Sequence, residues 1–405
     1  MTAQGMRRTP ALVALAACAL LLGWWLWPRH AAGTAHASAV AAAPASARGA
    51  TRATDDPGWD AEAPAPAAPA ARANATAGDD VACLAERRVR LRSIRDQLDP
   101  SRIAQEAFAH ALLGGAMGTS LRDEDAQRRE EVRLEAEWQA ARRRWPNDLD
   151  IAWRAANDCQ AKFGCDEGEA LDHLLQLDPD NASVWWLAMR KAWARGDGTA
   201  YDAALAHAAA ARGSDPRVGA VFLALQPLLA AAPTREGCLR ADDTAEAAKL
   251  FGHPPTASDW AEIEAWSFEM ASNTVISGAS FLGCRESEVG HLTQRRRADC
   301  IATVSTLAGG DMLAEQSFGL PLLIQLEGDS PQGLAARERY RQLLYLFLVQ
   351  PPGLMAGDPA SMLSAGEIET MRRRAIARYR WPPPPDWLPG SPRLRALLTR
   401  GTLPQ

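Results

Sequence analysis

Lysine is almost missing from this chain. Of 44 basic residues only Lys162, Lys191 and Lys249 are lysines, a skew that looks like the product of a GC-rich bacterial genome. A basic surplus is missing too. The formal net charge is −5, and beyond residue 80 there are 38 basic against 43 acidic side chains. No positive domain or stripe stands ready for phosphates, so nucleic acid is not an expected partner. The local signatures of catalysis are also lacking: no His-Glu-x-x-His helix, Gly-x-Ser-x-Gly elbow, Ser-x-x-Lys, Cys-x-x-Cys or phosphate-cradling glycine loop occurs. His110, His173, His207, His253 and His291 are scattered with no pair at ligand spacing, so neither a metal nor a cofactor is expected. Asp172 precedes His173, but neighbours on a helix face apart.

Against these absences stands one long apolar run. Residues 11–27, "ALVALAACALLLGWWLW", carry no charge and follow Arg7 and Arg8. The run is near the lower length of a bilayer helix, and Trp24, Trp25 and Trp27 cluster at its far end as interfacial anchors do. An uncleaved transmembrane anchor is therefore expected, with the N-terminus inside and the body exported. Two readings compete with it: lipidation at Cys18 after the Leu-Ala-Ala-Cys box, and cleavage after Ala35-His36-Ala37. Residues 28–78, rich in Ala and Pro, cannot bury enough apolar surface to offset their ordering entropy and are expected to form a disordered linker. Six cysteines follow the run: Cys83, Cys159, Cys165, Cys238, Cys284 and Cys300. An even number in an exported body suits disulfides, with Cys159 and Cys165 the preferred local pair because Gly164 lets the chain fold back.

From residue 79 to 405 the apolar spacing is that of helices almost throughout, so the expected fold class is all-α. Residues 122–145 show it best. Leu134, Trp138, Ala141 and Trp145 recur on one side while Glu124 with Arg128 and Asp125 with Arg129 pair on the other, and Pro146 ends the run. Other helices are expected at 79–98, 101 to about 115, 148–162, 168–177, 182–195, 199–212, 216–231, 257–281, 286–307, 311–325, 331–349 and 365–380. "LLYLFLV" at 343–349 has a strand's composition, but its neighbours favour a buried helix end stopped by Pro351 and Pro352.

Prolines at 146, 179 and 216, thus 33 and 37 residues apart, each follow a polar turn, with two expected helices between successive ones. Residues 181–216 resemble a tetratricopeptide repeat. Trp185, Ala188 and Met189 fall on first-helix packing positions, Gly196-Asp197 on the turn, and Ala204, Ala208, Ala211 and Pro216 on the second helix and its terminator if three residues are inserted near Gly198. The preceding unit, 147–179, matches less closely, with Trp153 one position late; the resemblance spans about 70 residues. It implies an array of antiparallel helix pairs in which Trp185 packs between helices. Trp186, Arg190 and Trp193 then stand on the adjacent face, which such arrays turn toward a concave groove, and an Arg between two indoles suits an extended peptide or an anionic group. The alternative is that Trp186 and Trp193 pack against the next helix pair.

Three further stretches carry weaker signals. "SGASFLG" at 277–283 has small residues that let helices approach, with Ser280 in the wrong spacing for a nucleophile. Glu262, Glu264 and Glu269 share a helix with Trp260, Ile263, Trp266 and Met270 and are expected on its solvated side. "WPPPPDWLPG" at 381–390 is an extended segment whose two tryptophans should pin the tail to the body. Together these readings describe a single-pass protein of the bacterial inner membrane. Its periplasmic body is expected to act as a helical-repeat scaffold binding a protein or peptide partner in the envelope. The alternative is a cell-envelope enzyme, a hydrolase or lyase of cell-wall polymer, whose site assembles only in the fold.

Overall fold

A computed structural model describes residues 77–118, 124–159, 165–235, 238, 241–272, 278–285, 290–349, 359–378 and 381–402. The apolar run 11–27, Cys18 and nearly all of the linker lie outside the described residues. Among the described residues no helix is long and apolar enough to cross a membrane. They form an all-α structure of sixteen α-helices, without strands.

The first three helices are α1 (Ala77–Asp96), α2 (Ala104–Gly118) and α3 (Glu124–Arg144). Four short-linked helices follow: α4 (Leu149–Asp158), α5 (Glu167–Leu177), α6 (Ala182–Ala194) and α7 (Gly198–Ala210). Each of these four begins on a side-chain cap. Asp148, Asp166, Asn181 and Asp197 accept from the backbone N–H groups of Ile151, Glu169, Ser183 and Ala200, which places every start one residue after a capping Asp or Asn. Then come α8 (Ala220–Ala231), α9 (Ala241–Phe251), α10 (Ala257–Ser272) and a 3-10 segment, Gly278–Cys284. The chain closes with α11 (Gln294–Gly309), α12 (Leu313–Glu327), α13 (Pro331–Val349), α14 (Pro359–Ala365), α15 (Glu367–Arg378) and α16 (Pro392–Arg400).

Several expected boundaries are corrected. Within the helix expected at 257–281 the structure describes α10 over Ala257–Ser272, and the Gly278–Cys284 segment that overlaps its expected end is 3-10 and not α-helical. The one expected at 286–307 starts only at Gln294, where the Thr293 side chain accepts from Arg296 N–H. Helices α9, α14 and α16 were not expected at all, since short runs give too few turns to show a period. The apolar "LLYLFLV" run is the end of α13, as its neighbours suggest.

Two hydrophobic cores result. The larger is built by α4–α7, the 3-10 segment, α11–α13, α15 and α16; the smaller by α1–α3, α8 and α10, with Ile151 of α4 reaching into it. Helix α7 packs on α6 and α11, α11 on α12, and α12 on α13. The approach of α12 to α11 depends on Gly319, where a Cβ would stand 2.4 Å from the backbone nitrogen of Ala308. After Pro216 the chain leaves this row of helices, because α8 pairs with α10 and packs on α2.

The turns at Pro179 and Pro216 are tied to one another. Asn181, which is buried, accepts from the N–H of Ser183 and of Asp215 and donates to Asp178 and to the carbonyl of Asp215. A short parallel bridge, Ala182 N–H to the Gly213 carbonyl at 2.8 Å, runs alongside. The evenly spaced prolines of the sequence therefore mark two loops that touch. At the other end of the body Trp381 and Trp387 lie 6.4 and 5.1 Å from the Tyr345 ring, and Arg341 donates to the Pro384 carbonyl, so the tail is held against α13.

All six body cysteines fall in three pairs at disulfide geometry. Cys83–Cys238, Cys159–Cys165 and Cys284–Cys300 have Cα–Cα separations of 5.4, 5.6 and 5.8 Å. The expected local pair is among them, and the other two close 155 and 16 residues of chain.

Candidate interaction face

Helix α6, "ASVWWLAMRKAWA", carries the three residues expected on an open face. Trp185 is half-buried: its ring stacks on His207 of α7 at 4.2 Å and its indole N–H donates to the Pro179 carbonyl at 2.7 Å. It does pack between the paired helices. Trp186 does not stand on an open face. It is 0% exposed and meets Phe281 edge to face at 5.7 Å. The reason is the 3-10 segment Gly278–Cys284, which lies against α6. Tyr201 O–H donates to the Ser280 carbonyl, and Cys284 is bonded to Cys300 of α11. Gly283 permits this, since a Cβ there would press into the Tyr201 ring.

Trp193, two turns further along the same side of the helix, remains 40% exposed, edge-on to Tyr201 at 5.5 Å. The two tryptophans share a meridian of the helix but not a cover, because the seven-residue segment reaches only one of them. Arg190 is half-buried and donates from Nη2 to Asn157 Oδ1 at 2.8 Å. Burial depresses its pKa, while the carboxylates of Asp158 and Glu167 oppose that. Beside it Lys191 is buried, with Nζ 3.8 Å from Glu167 and 3.5 Å from the Cys159 carbonyl. Of the expected trio, Arg190 and Trp193 thus border the surface and Trp186 belongs to the core.

Two of the three carboxylates expected on the solvated side of α10, Glu264 and Glu269, are engaged instead. Glu264 pairs with Arg87 and Arg90 of α1. Glu269 is 1% exposed and accepts from the N–H of Phe222 at 3.1 Å, with the amides of Gly219 and Val221 also facing it. Helix α8 opens on Gly219, which has no side chain to cap it, so Glu269 supplies the missing acceptors from a neighbouring helix. A helix-to-helix cap of this kind leaves no local mark in sequence.

Where the two cores meet, Asp150, Arg154, Arg217 and Glu269 line a shallow cleft with Phe108 and Trp153. Arg217 sits at φ 56, a conformation rare outside glycine, and donates from Nε to Asp150 Oδ1 at 2.8 Å. The enclosed space holds about one water molecule. A wider polar groove is lined by Arg142, Arg143, Glu169, Asp172, His173 and Gln176. Its His173 ring is engaged by the Pro146 carbonyl at 2.6 Å, and Arg142 pairs with Glu169. Asp172 and His173, adjacent in sequence, therefore share a groove wall without acting as a pair. His110, on α2, lies 3.7 Å from Glu137 in the smaller core's charged margin, and His253 stands beside Asp259.

A second set of enclosed carboxylates sits at the starts of α12 and α15. Glu315 is buried and accepts from Met312 N–H, and Glu367 accepts from Leu313 N–H at 2.7 Å. Burial raises Glu315, and burial together with the Glu315 charge raises Glu367 to about 7.

No protein-family model, curated protein or solved structure matches the chain.

Proposed function

We propose that this chain is a membrane-anchored scaffold of the bacterial envelope, with an exported body built as a tetratricopeptide-like array of helix pairs that binds a protein or peptide partner. The observation that carries this reading is the pairing of all six body cysteines, at sequence separations of 155, 6 and 16, which suits an oxidising compartment. Apolar residues 11–27 then serve as the anchor and residues 28–78 as the tether that lets the body stand off the inner membrane. The short-linked pairs α4/α5 and α6/α7, followed by α11 and α12 packed in the same row, support the array.

The recognition surface is the open end of α6. There Trp193 offers an exposed indole beside Arg190, the combination that anchors partners at protein interfaces. Asp150 and Glu269, the carboxylates of the junction cleft, are taken up by Arg217 and by the start of α8, which favours a binding role over the cell-wall enzyme.

A photoreactive amino acid placed at position 193 in living cells tests this. It should crosslink to a discrete partner, and Arg190→Ala should weaken capture by about tenfold with the fold intact. The same probe at position 186 should capture nothing outside the chain. Equal labelling at both positions, or none at 193, removes this surface from the account.

A further inference from the structure

The disulfide Cys159–Cys165 is not surrounded by apolar side chains alone. Glu135 of α3 lies against it, 6% exposed, and its carboxylate oxygen and the two Sγ atoms all lie within 4.8 Å of one another. Gln139 binds the group together, with Nε2 2.6 Å from Glu135 Oε1 and 3.2 Å from Cys165 Sγ. A disulfide staple does not require a carboxyl beside it, and the Gln139 hydrogen bond is what keeps this one in its enclosed place. We propose that Cys159, Cys165 and Glu135 form a binding site for a thiophilic divalent metal, gated by the redox state of the Cys159–Cys165 bond.

The donor set fits such an ion. Two thiolates and one carboxylate match a tetrahedral zinc with a fourth position open to water, and they select against magnesium and calcium, which take oxygen donors. At Zn–S distances of about 2.3 Å the two sulfurs stand ~3.8 Å apart, so opening the S–S bond moves each by less than about 1 Å. The Cα atoms, at 5.6 Å, need not separate far. Helix ends act on the two cysteines differently: Cys165 precedes Asp166, the N-cap of α5, whereas Cys159 is the C-cap of α4, where the dipole disfavours a thiolate and the metal itself must stabilise it. The positive end of α5 favours a thiolate at Cys165.

Atoms and charges balance as follows. A dithiol reductant gives two electrons and two protons to the S–S bond and leaves as its own disulfide, and Cys159 and Cys165 become thiols. The metal then displaces one proton from each of the two thiols and one from the Glu135 carboxyl, and the three protons pass to solvent. Three negative ligands and a divalent ion leave one negative charge. Lys191, whose Nζ lies 3.5 Å from the Cys159 carbonyl and 3.8 Å from Glu167, is a cation beside the site that it shares with Glu167.

The test uses the full-length chain, reduced with dithiothreitol, freed of reductant by gel filtration under argon and titrated with Co2+. The proposal expects no uptake by the oxidised protein. After reduction it expects one equivalent bound with thiolate-to-cobalt charge-transfer absorption, displaced by Zn2+ and lost in Cys159→Ser. Glu135→Gln, nearly the same in shape, keeps the fold and should weaken Co2+ by about tenfold or more. The idea is overturned if the reduced wild type takes up no Co2+, if Glu135→Gln binds as tightly, if Cys159→Ser still binds, or if the folded protein's Cys159–Cys165 bond resists the reductant.

Discussion

Replacing Cys83 and Cys238 together by serine is expected to lower the unfolding free energy by about 5 kcal/mol, against about 2 kcal/mol for the same change at Cys159 and Cys165. The difference comes from the unfolded chain. Cys83–Cys238 closes 155 residues and Cys159–Cys165 only 6, so the first removes far more freedom from the denatured ensemble. In the folded state the long bond is not alone in holding α1, since Arg87 and Arg90 reach Glu264 of α10. The variant should therefore still fold, with its melting temperature lower by roughly 7 °C. Urea unfolding of the oxidised protein and the two serine pairs gives the ranking. A loss below about 1 kcal/mol for the long pair would mean that the bond is not part of the native protein.

The second large effect concerns pH. Glu367 is raised to about 7 by burial and by Glu315, so the folded protein holds a proton there that the unfolded chain has released by pH 6. A carboxyl raised in the folded state contributes stability that is fully present below its unfolded pKa of about 4.5 and is lost as pH rises through about 7. The expected loss between those values is roughly 2–3 kcal/mol from this group, and Glu315 and Glu269, also raised by burial, act in the same direction. Glu130 and Glu338 are held low by Arg133 and Arg341 and oppose this only in acid, where they protonate; His110, held below the usual histidine value by burial, also opposes it as pH falls below neutrality, one lowered imidazole against three raised carboxyls. Stability should therefore peak near pH 5 rather than in neutral solution. In Glu367→Gln the slope between pH 5 and 8 should flatten. A wild type equally stable at both pH values would show that the carboxylate is hydrated in the native state.

The all-α class and the central helices were legible because their signals are local. The apolar period and the prolines at 146 and 179 placed α3 to α7 within a few residues, and the capping Asp and Asn residues found at the starts of α4 to α7 are the local physics behind that agreement. Long-range partnerships were not. Trp186 and Trp193 share one helical side, and only the three-dimensional path of Gly278–Cys284, far away in sequence, decides that the first is covered and the second open. Glu269 looked solvated because its three partners are backbone amides of another helix, which no side-chain pattern reports. The pairing of Cys83 with Cys238 is of the same kind, whereas Cys159 with Cys165 could be read from a single turn.

The central claim is that the body lives in a compartment that oxidises thiols. Alkylating free thiols in intact cells of the source organism, before lysis, and mapping the cysteine peptides by mass spectrometry tests it most directly. The account predicts no free thiol among Cys83, Cys238, Cys284 and Cys300, with Cys83 linked to Cys238 and Cys284 to Cys300. Finding those four sulfurs alkylated in native cells would place the body in a reducing compartment and contradict it.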